Sequence, residues 1–386
     1  MSSVPGIFFG SSSPSGHLTE LADSVADYVA RSGGVARMRR LRGTAHEYDP
    51  AVWKKWAELG WLGILVPEKY GGLGLGLSEM AVVAEGLARA LAPEPLNAVA
   101  VLTAGVLVAA ENEAVKRELL PRLVAGEVIP VLAWQEDAGN LDPDTPRTQA
   151  VPIEGGFKLS GSKRYIAGAA HADAFIVSAD TKNEIALFWV PRGTPGVALQ
   201  IEPIADGRSF STLVLQDAQL PEKHCLSRGR SANEALACAL DHAAAISGAE
   251  LFGVMSRTLE MTLDFLRARV QFGKPIGSFQ ALQHRAVDLY IQTQLSNAVL
   301  EEALLALAHN PDGRTRAALV SRIKARCSEA GLRIAREAIQ LHGAMGFTDE
   351  CDVGLYLKRA LVLSAWLGNA GYHRRRYAQL TAGDTA

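Results

Sequence analysis

The hydrophobic period of this 386-residue chain changes twice, and those two changes limit its fold more than any single motif. From Leu18 to Gly126 apolar residues recur at helical spacing, as at Leu18, Leu21, Val25 and Val29. Asp49-Pro50 opens one helix as an N-cap followed by proline does, with Val52, Trp56 and Leu59 as its apolar face and Gly60 as its end. Further helices are expected over 78–91, 97–110 and 112–125. From about Val128 to Leu226 the chain breaks into short runs rich in Val, Ile and Phe, such as 174–178, 185–190 and 212–215. Gly, Pro, Asp and Asn separate them, which argues for an antiparallel sheet domain. No GxGxxG follows a strand, so a dinucleotide-binding βαβ unit is not expected. After Ala232 long helical patterns return over 235–268, 281–307, 314–342 and about 352–381. Four long helices with short links suggest a bundle. The expected organisation is an α+β multidomain chain: an N-terminal helical domain over 1–127, a central antiparallel β domain over 128–230 and a C-terminal four-helix bundle over 231–386.

Charge and cysteine usage exclude several classes. The net charge is −2, which gives no electrostatic basis for binding nucleic acid or an anionic membrane. The basic clusters at 37–42 and 373–376 read as solvated helix faces or ends. Cys225, Cys238, Cys327 and Cys351 are scattered without CxxC spacing, so neither a zinc site nor a disulfide framework is implied. Reduced thiols and a cytoplasmic location are the expectation, and the N-terminal residues lack the basic start and apolar run of a secretory signal. The apolar run over 98–110 is short of the ~20 residues a bilayer needs. The glycine-rich stretch at 67–76 lacks the Lys-Ser/Thr of a phosphate loop and reads as a structural turn.

The segment at 267–284 lies between two helical patterns and carries residues a plain turn does not need: Arg267, Arg269, Phe272, Gln280 and Gln283. Arginine suits a pyrophosphate, phenylalanine stacks on a ring, and glutamine bonds polar edges. These are the residue types a dinucleotide asks for.

That segment resembles the flavin-binding turn of the acyl-CoA dehydrogenase family, and the resemblance extends over nearly the whole chain. Residues 53–74 resemble the family's helix-to-loop opening, and 84–95 the helix after it. Arg269-Val-Gln-Phe-Gly273, Gln280 and Gln340-Leu-His-Gly-Ala-Met-Gly-Phe-Thr348 match in order and spacing. The resemblance implies FAD as cofactor, an acyl-CoA substrate and an electron-transfer flavoprotein or similar acceptor. It also implies self-association as a dimer or tetramer. Arg269, Phe272 and Gln280 would meet the adenine and pyrophosphate half of FAD. Gln340, His342, Gly343 and Ala344 would reach the FAD of a neighbouring subunit, where small residues let backbone approach. Helix capping for Arg269, and interhelical polar contacts for Gln340 and His342, are the plainer alternatives.

Two departures from the family pattern stand out. In the loop that faces the flavin ring, 133–142, Glu136 remains but the hydroxyl-bearing positions are Gln135 and Leu141, and Trp134 and Gln135 are expected to line the cofactor. Further on, Tyr165 can pack on the ring, whereas Ala167 has no hydroxyl to donate. Register from Lys358-Arg359 puts Leu367-Gly368-Asn369 where the family's catalytic glutamate and its neighbours lie, with Asn369 beside the cofactor. The family's second placement, on the first bundle helix ten positions before Gly253, is Ala243. Neither Leu367 nor Ala243 can accept a proton, which leaves Asp241 and Glu250 as the nearest carboxylates. The wording at 272–288 and 340–373 resembles bacterial branches that act on steroid side chains or bulky acyl-CoAs and pair two unlike subunits, one supplying the base. A FAD-dependent acyl-CoA dehydrogenase subunit is therefore expected. The alternatives are a non-catalytic FAD- or acyl-CoA-binding partner and a flavin monooxygenase on the same fold. Ala243, Ala244 and Ala245 fit either a wide acyl group or tight helix packing.

Overall fold

A computed structural model describes residues 16–42, 48–182 and 184–382, which divide into two compact units. Of the described residues, a helical unit gathers those up to Arg40, Leu77–Ala92 and those from Ala244 onward. A sheet unit gathers Leu41–Gly76 and Pro93–Ala243.

The helical unit contains α1 (Gly16–Arg31), α2 (Gly34–Leu41, whose last residue is counted with the sheet unit) and α4 (Leu77–Arg89). It also holds the later turns of the 40-residue helix α7 (Gly229–Ala268), then α8 (Gln280–Leu307), α9 (Gly313–His342), α10 (Val353–Ala365) and α11 (Ala370–Thr381). Val320, Ile323, Cys327, Ala330, Ile334, Ala338 and Leu341 recur at three and four along α9 and are all buried, so this helix runs through the unit's core. Helix α7 approaches α4 closely: a Cβ at Gly253 would fall 2.4 Å from the Glu85 carbonyl oxygen. Length and apolar composition would let α7 cross a membrane, but 72% of that apolar stretch is buried inside the protein, as in a core helix.

The expected fourth bundle helix is two. Leu367 adopts φ +59 and Gly368 φ +102, which ends α10, and the Asn369 side chain then caps α11 by accepting from the Tyr372 amide. The Gly-Asn pair was the sequence signal for that stop and restart.

In the sheet unit, α3 (Pro50–Glu58) begins as expected, with the Asp49 carboxylate accepting from the Ala51 amide. Its buried face is Trp53 and Trp56 rather than Val52, Trp56 and Leu59, and Leu59 is exposed. The glycine-rich loop is closed on itself: the amides of Leu73, Gly74 and Leu75 donate to the carbonyls of Gly63, Val66 and Ile64. Those amides are already committed, which is the structural turn expected of it. Residues 97–109 form a π-helix (Asn97–Thr103) that passes into α5 (Ala104–Ala109), followed by α6 (Glu113–Val124).

The sheet comprises β1 (Pro130–Ala133), β2 (Gln149–Ile153), β3 (Gly156–Ala167), β4 (Ala174–Asp180), β5 (Ile185–Pro191), β6 (Val197–Pro203), β7 (Ser209–Pro221) and β8 (Cys225–Arg228). Their order is β6-β7-β3-β2-β4-β5-β8, with β1 on β4. The sheet is mixed, which corrects the expectation of an antiparallel one. β1 runs parallel to β4, and β2 meets β4 in parallel at Gln149 and Asp180. Turn signals mark where hairpins close, but a strand that pairs only after a 40-residue excursion leaves no local mark. Strands β4 and β5 are buried along almost their whole length, whereas β7 alternates buried residues with half-buried ones in its first half and exposed ones in its second.

Candidate functional site

The candidate residues fall into one set in each unit. In the helical unit α7 ends at Ala268 and the chain forms a two-stranded hairpin, β9 (Val270–Gln271) against β10 (Lys274–Pro275). Its tip is Phe272-Gly273, with φ +53 and +77. Positive φ at both central residues is the type I′ geometry that fits the strand twist and normally takes Asn-Gly. A phenylalanine there costs backbone strain of order 1–3 kcal/mol. At this tip Phe272 is 91% exposed, its ring edge-on to Phe279 at 6.2 Å. Arg269 is exposed at the hairpin's base, and its guanidinium has no ion pair among the described residues. Gln280, exposed, opens α8 a few residues on.

The C-terminus of α9 presents a second part of this set. Gln340, Gly343 and Ala344 are exposed, as are Met345 and Phe347, the last at 80%. A Cβ on Gly343 (φ +60) would meet no atom within 4 Å, so its backbone is open to close approach. His342 is not part of this surface. It is buried, its Nδ1–H donates to the Ala338 carbonyl at 2.8 Å, and it stacks on Phe265 at 4.3 Å. Burial lowers its pKa. Its polar contact stays within α9 and its contact across helices is the aromatic stack, so the interhelical polar bond expected as the plainer alternative is replaced by ring packing.

The turn from α10 to α11 carries Leu367 and Asn369. Leu367 is only 8% exposed. Lys324 of α9, wholly buried, donates from Nζ to the carbonyls of Leu363 (2.6 Å) and Gly368 (3.2 Å), on the two sides of the turn. His373 donates from Nε2 to the Leu367 carbonyl at 2.9 Å. Burial brings Lys324 down to about 7, and burial beside Lys324 brings His373 down to about 3, so the histidine is neutral. Glu250, on α7, contributes a charge that favours the protonated form of Lys324.

In the sheet unit Trp134, Gln135, Tyr165 and Ala167 lie on two segments stapled together. The Arg164 amide donates to the Gln135 carbonyl at 2.7 Å. The Lys163 ammonium, fully buried, donates to Glu136 Oε1 (2.7 Å), the Trp134 carbonyl (3.2 Å) and Ser178 Oγ (3.1 Å). Glu136 also accepts from the Thr148 amide and hydroxyl and from the Arg147 amide. Those donors, with the Lys163 charge, hold its pKa near 2 against the cost of burial. Lys163 too is lowered, to about 8, because full enclosure costs the ammonium more than Glu136 returns. Both groups are charged at pH 7. Tyr165 sits at φ +57 where the β3–β7 register shifts, half-buried, with the Arg164 guanidinium 5.1 Å from its ring centre.

Asp241 is buried on the first part of α7, and Ala243 is 0% exposed, its carbonyl accepting from the Asn97 side chain at 3.0 Å. Ala244 and Ala245, two of the three consecutive alanines, are buried in the helical unit. Sequence reasoning missed Lys163 and Lys324 as organising residues. Each is a lysine on an inward-facing position, one in a strand and one between Ile323 and Cys327 on the apolar face of α9, and that placement was the available signal. A cavity of about 610 Å³ in the helical unit, lined by Val25, Val29, Val82, Arg89 and Arg257 among others, includes none of the candidate residues.

Known proteins place these features in a family. Residues 15–127 match the family model for the acyl-CoA dehydrogenase N-terminal domain, and 234–380 that for the C-terminal domain. The chain is 32% identical to acyl-CoA dehydrogenase IpdE2 of Mycobacterium tuberculosis over 88% of its own length and 89% of that protein. Among solved structures it is similar to the ChsE4-ChsE5 complex from Mycobacterium tuberculosis, with TM-score 0.87 and 27% identity over 97% of this chain and 99% of that one. A variant of the Tcur3481-Tcur3483 steroid ACAD gives TM-score 0.85 and 28% identity over 96% and 98%. With these matches, the helical, sheet and helical order along the chain is accounted for: it belongs to the acyl-CoA dehydrogenase family.

Proposed function

We propose that this chain is the FAD-holding subunit of an acyl-CoA dehydrogenase that converts a bulky acyl-CoA thioester to its 2,3-enoyl-CoA, with the proton-abstracting carboxylate supplied by an unlike sister subunit. The observation that carries this reading is a contrast within one chain. A strained hairpin keeps Phe272 91% exposed beside Arg269, which has no ion pair among the described residues, while both positions where the family places its base are buried and apolar, Ala243 at 0% and Leu367 at 8% exposure. Strain of that kind persists where something outside the hairpin uses it.

The residues present fit the adenylate half of FAD. Arg269 offers the planar donors that pair with a pyrophosphate, and Phe272 offers an open face for adenine. Gly343 and Ala344 leave backbone accessible to the cofactor of a neighbouring subunit. On the ring side Tyr165 supplies packing, and Ala167 only its backbone. Bound FAD would supply the hydride acceptor for the substrate's β-carbon. The α-proton still needs a carboxylate. Asp241 is buried, and Glu250 lies where its charge acts on Lys324, so both suit structural pairing better than proton removal. General-base assistance is worth ~10²–10⁴ in rate, which is why a second chain is invoked. The names of the two-protein ChsE4-ChsE5 complex and the steroid ACAD support a paired enzyme and a wide acyl group. Electrons would leave through an electron-transfer flavoprotein or a similar acceptor.

The test is anaerobic titration with acyl-CoA of the purified chain, alone and with a sister subunit carrying the glutamate. The expected result is a yellow protein that bleaches only in the pair. A colourless preparation in both cases would overturn the reading. The second reading, a non-catalytic FAD-binding partner, is favoured by the same two apolar base positions, and it predicts flavin without bleaching in either preparation.

A further inference from the structure

We propose that the buried Glu136–Lys163 pair is a positioning device for the flavin-ring wall formed by Trp134, Gln135 and Tyr165. The inference rests on the FAD reading above and names residues that would tune the ring rather than hold the nucleotide.

Three observations converge on this pair. All the hydrogen bonds it makes tie different chain segments together. Lys163 in β3 reaches the Trp134 carbonyl, Glu136 and Ser178 in β4, which uses the three donors of an ammonium. Glu136 uses both oxygens, and its partners Arg147 and Thr148 lie at the far end of the excursion that begins at Glu136. The fit at Thr148 is close enough to demand glycine opposite: a Cβ on Gly161 (φ +150) would fall 2.7 Å from the Thr148 Cα.

The second observation is where the wall residues sit relative to the staple. Trp134 and Gln135 immediately precede Glu136, and Tyr165 lies two residues after Lys163. In a regular strand residue 165 would share the buried face of Lys163. The register shift between Lys163 and Ile166, with Tyr165 at φ +57, gives that side chain a different direction. A bulge can slip unless its flanks are fixed, and here the Lys163 side chain and the Arg164 amide fix one flank onto the loop.

The third is energetic. A buried ion pair adds little net stability over apolar residues of the same volume, but removing one partner leaves a buried charge and is costly. Such a pair is therefore better explained by the single geometry it enforces than by stability.

The test uses full-length protein loaded with FAD and the variants Glu136→Gln, Lys163→Met, the double variant and Thr148→Val. Flavin occupancy after gel filtration, flavin reduction potential, and trypsin cleavage after Arg147 are measured on each. The expected result for the single variants is cleavage at least tenfold faster, a shifted flavin potential and altered visible bands, at wild-type occupancy. The double variant should be no worse than the worse single, because the two substitutions break one device. Thr148→Val retains both charges and should move cleavage and potential in the same direction by less, which covers the case where a single variant does not fold. Faster cleavage with an unchanged potential would reduce the pair to a structural tie and overturn the proposal. Unchanged cleavage in all four would overturn it as well, including when wild-type protein takes up no FAD. That last finding by itself removes the FAD reading, and the cleavage arm then judges the staple alone.

Discussion

Lys324 Nζ lies 2.6 Å from the carbonyl oxygen of Leu363, and the same nitrogen reaches the Gly368 carbonyl at 3.2 Å, so one buried amine closes the turn that carries Leu367. The last carbonyls of a helix have no partner within it, and at α10 this side chain supplies one. Burial holds the lysine near 7, against 10.5 for the ordinary side chain. Between those two values the unfolded chain binds more protons than the folded one, so this group makes the fold more stable as pH rises from about 7 towards 10.5. Below 7 both states are protonated and the contribution is flat. Lys324→Met removes the titration. The stability difference between wild type and variant should therefore move in favour of wild type from pH 7 to 9.5, by up to ~1.4 kcal/mol per pH unit. Guanidinium midpoints at the two pH values check it, and a pH-independent difference would count against it.

The hairpin tip offers a separation of stability from binding. Asparagine tolerates positive φ far better than phenylalanine. Phe272→Asn should raise the stability of the cofactor-free protein by roughly 1 kcal/mol, since it relieves the backbone strain at φ +53. The same change removes the face that stacks on adenine, worth ~1–3 kcal/mol, or about 5- to 150-fold in FAD affinity. Thermal unfolding of apoprotein and fluorescence titration with FAD measure the two effects. A variant that binds FAD as tightly as wild type would sink the stacking role.

The two period changes made the helical, sheet and helical order legible, because 3.6- and 2-residue repeats are local properties. The I′ hairpin was not legible: Phe-Gly is an unusual occupant of those two positions, and only the cofactor reading gives it a reason. The mixed sheet was hidden because β1 and β4 pair across some 40 residues. Among the candidate residues, the exposure of Phe272 and Arg269 on a turn could be read from residue type in context. His342 could not, since a helical histidine has the same sequence whether it faces solvent or Phe265. The Glu136–Lys163 staple combines residues 27 apart: the inward strand position of Lys163 marks it as buried, but nothing local names Glu136 as its partner.

Restoring a carboxylate discriminates between the two family placements of the base. Ala243→Glu puts the group at a fully enclosed position, where burial raises a carboxyl pKa. Leu367→Glu puts it on the turn fixed by Lys324 and His373. If the chain's own geometry suits one arrangement, that variant should bleach with acyl-CoA without a sister subunit, ~10²–10⁴ faster than wild type. The gain at 243 should grow with pH as the buried acid ionises. Equal, unimproved bleaching rates in both variants would mean that neither register is right.

The exposed face of α8 bears on assembly. Val287, Tyr290, Ile291 and Leu295 are each roughly half exposed and recur at three and four residues, which places them on one stripe of the helix. An outward helix face is normally polar, and a contiguous apolar stripe marks a surface that a partner covers. Burying one such aliphatic side chain contributes about 1.5–3 kcal/mol, so its loss weakens association by an order of magnitude or more. Ile291→Glu and Leu295→Glu should therefore each lower the mass of the assembly proposed above at micromolar concentration, and the pair together should leave single subunits or a smaller assembly. The substituted positions face away from the core of the unit, so the circular dichroism of the helices should be unchanged. Light scattering at several concentrations reads the outcome. An unchanged mass in the double variant would show that α8's stripe is not the surface through which this chain meets another copy or a sister subunit.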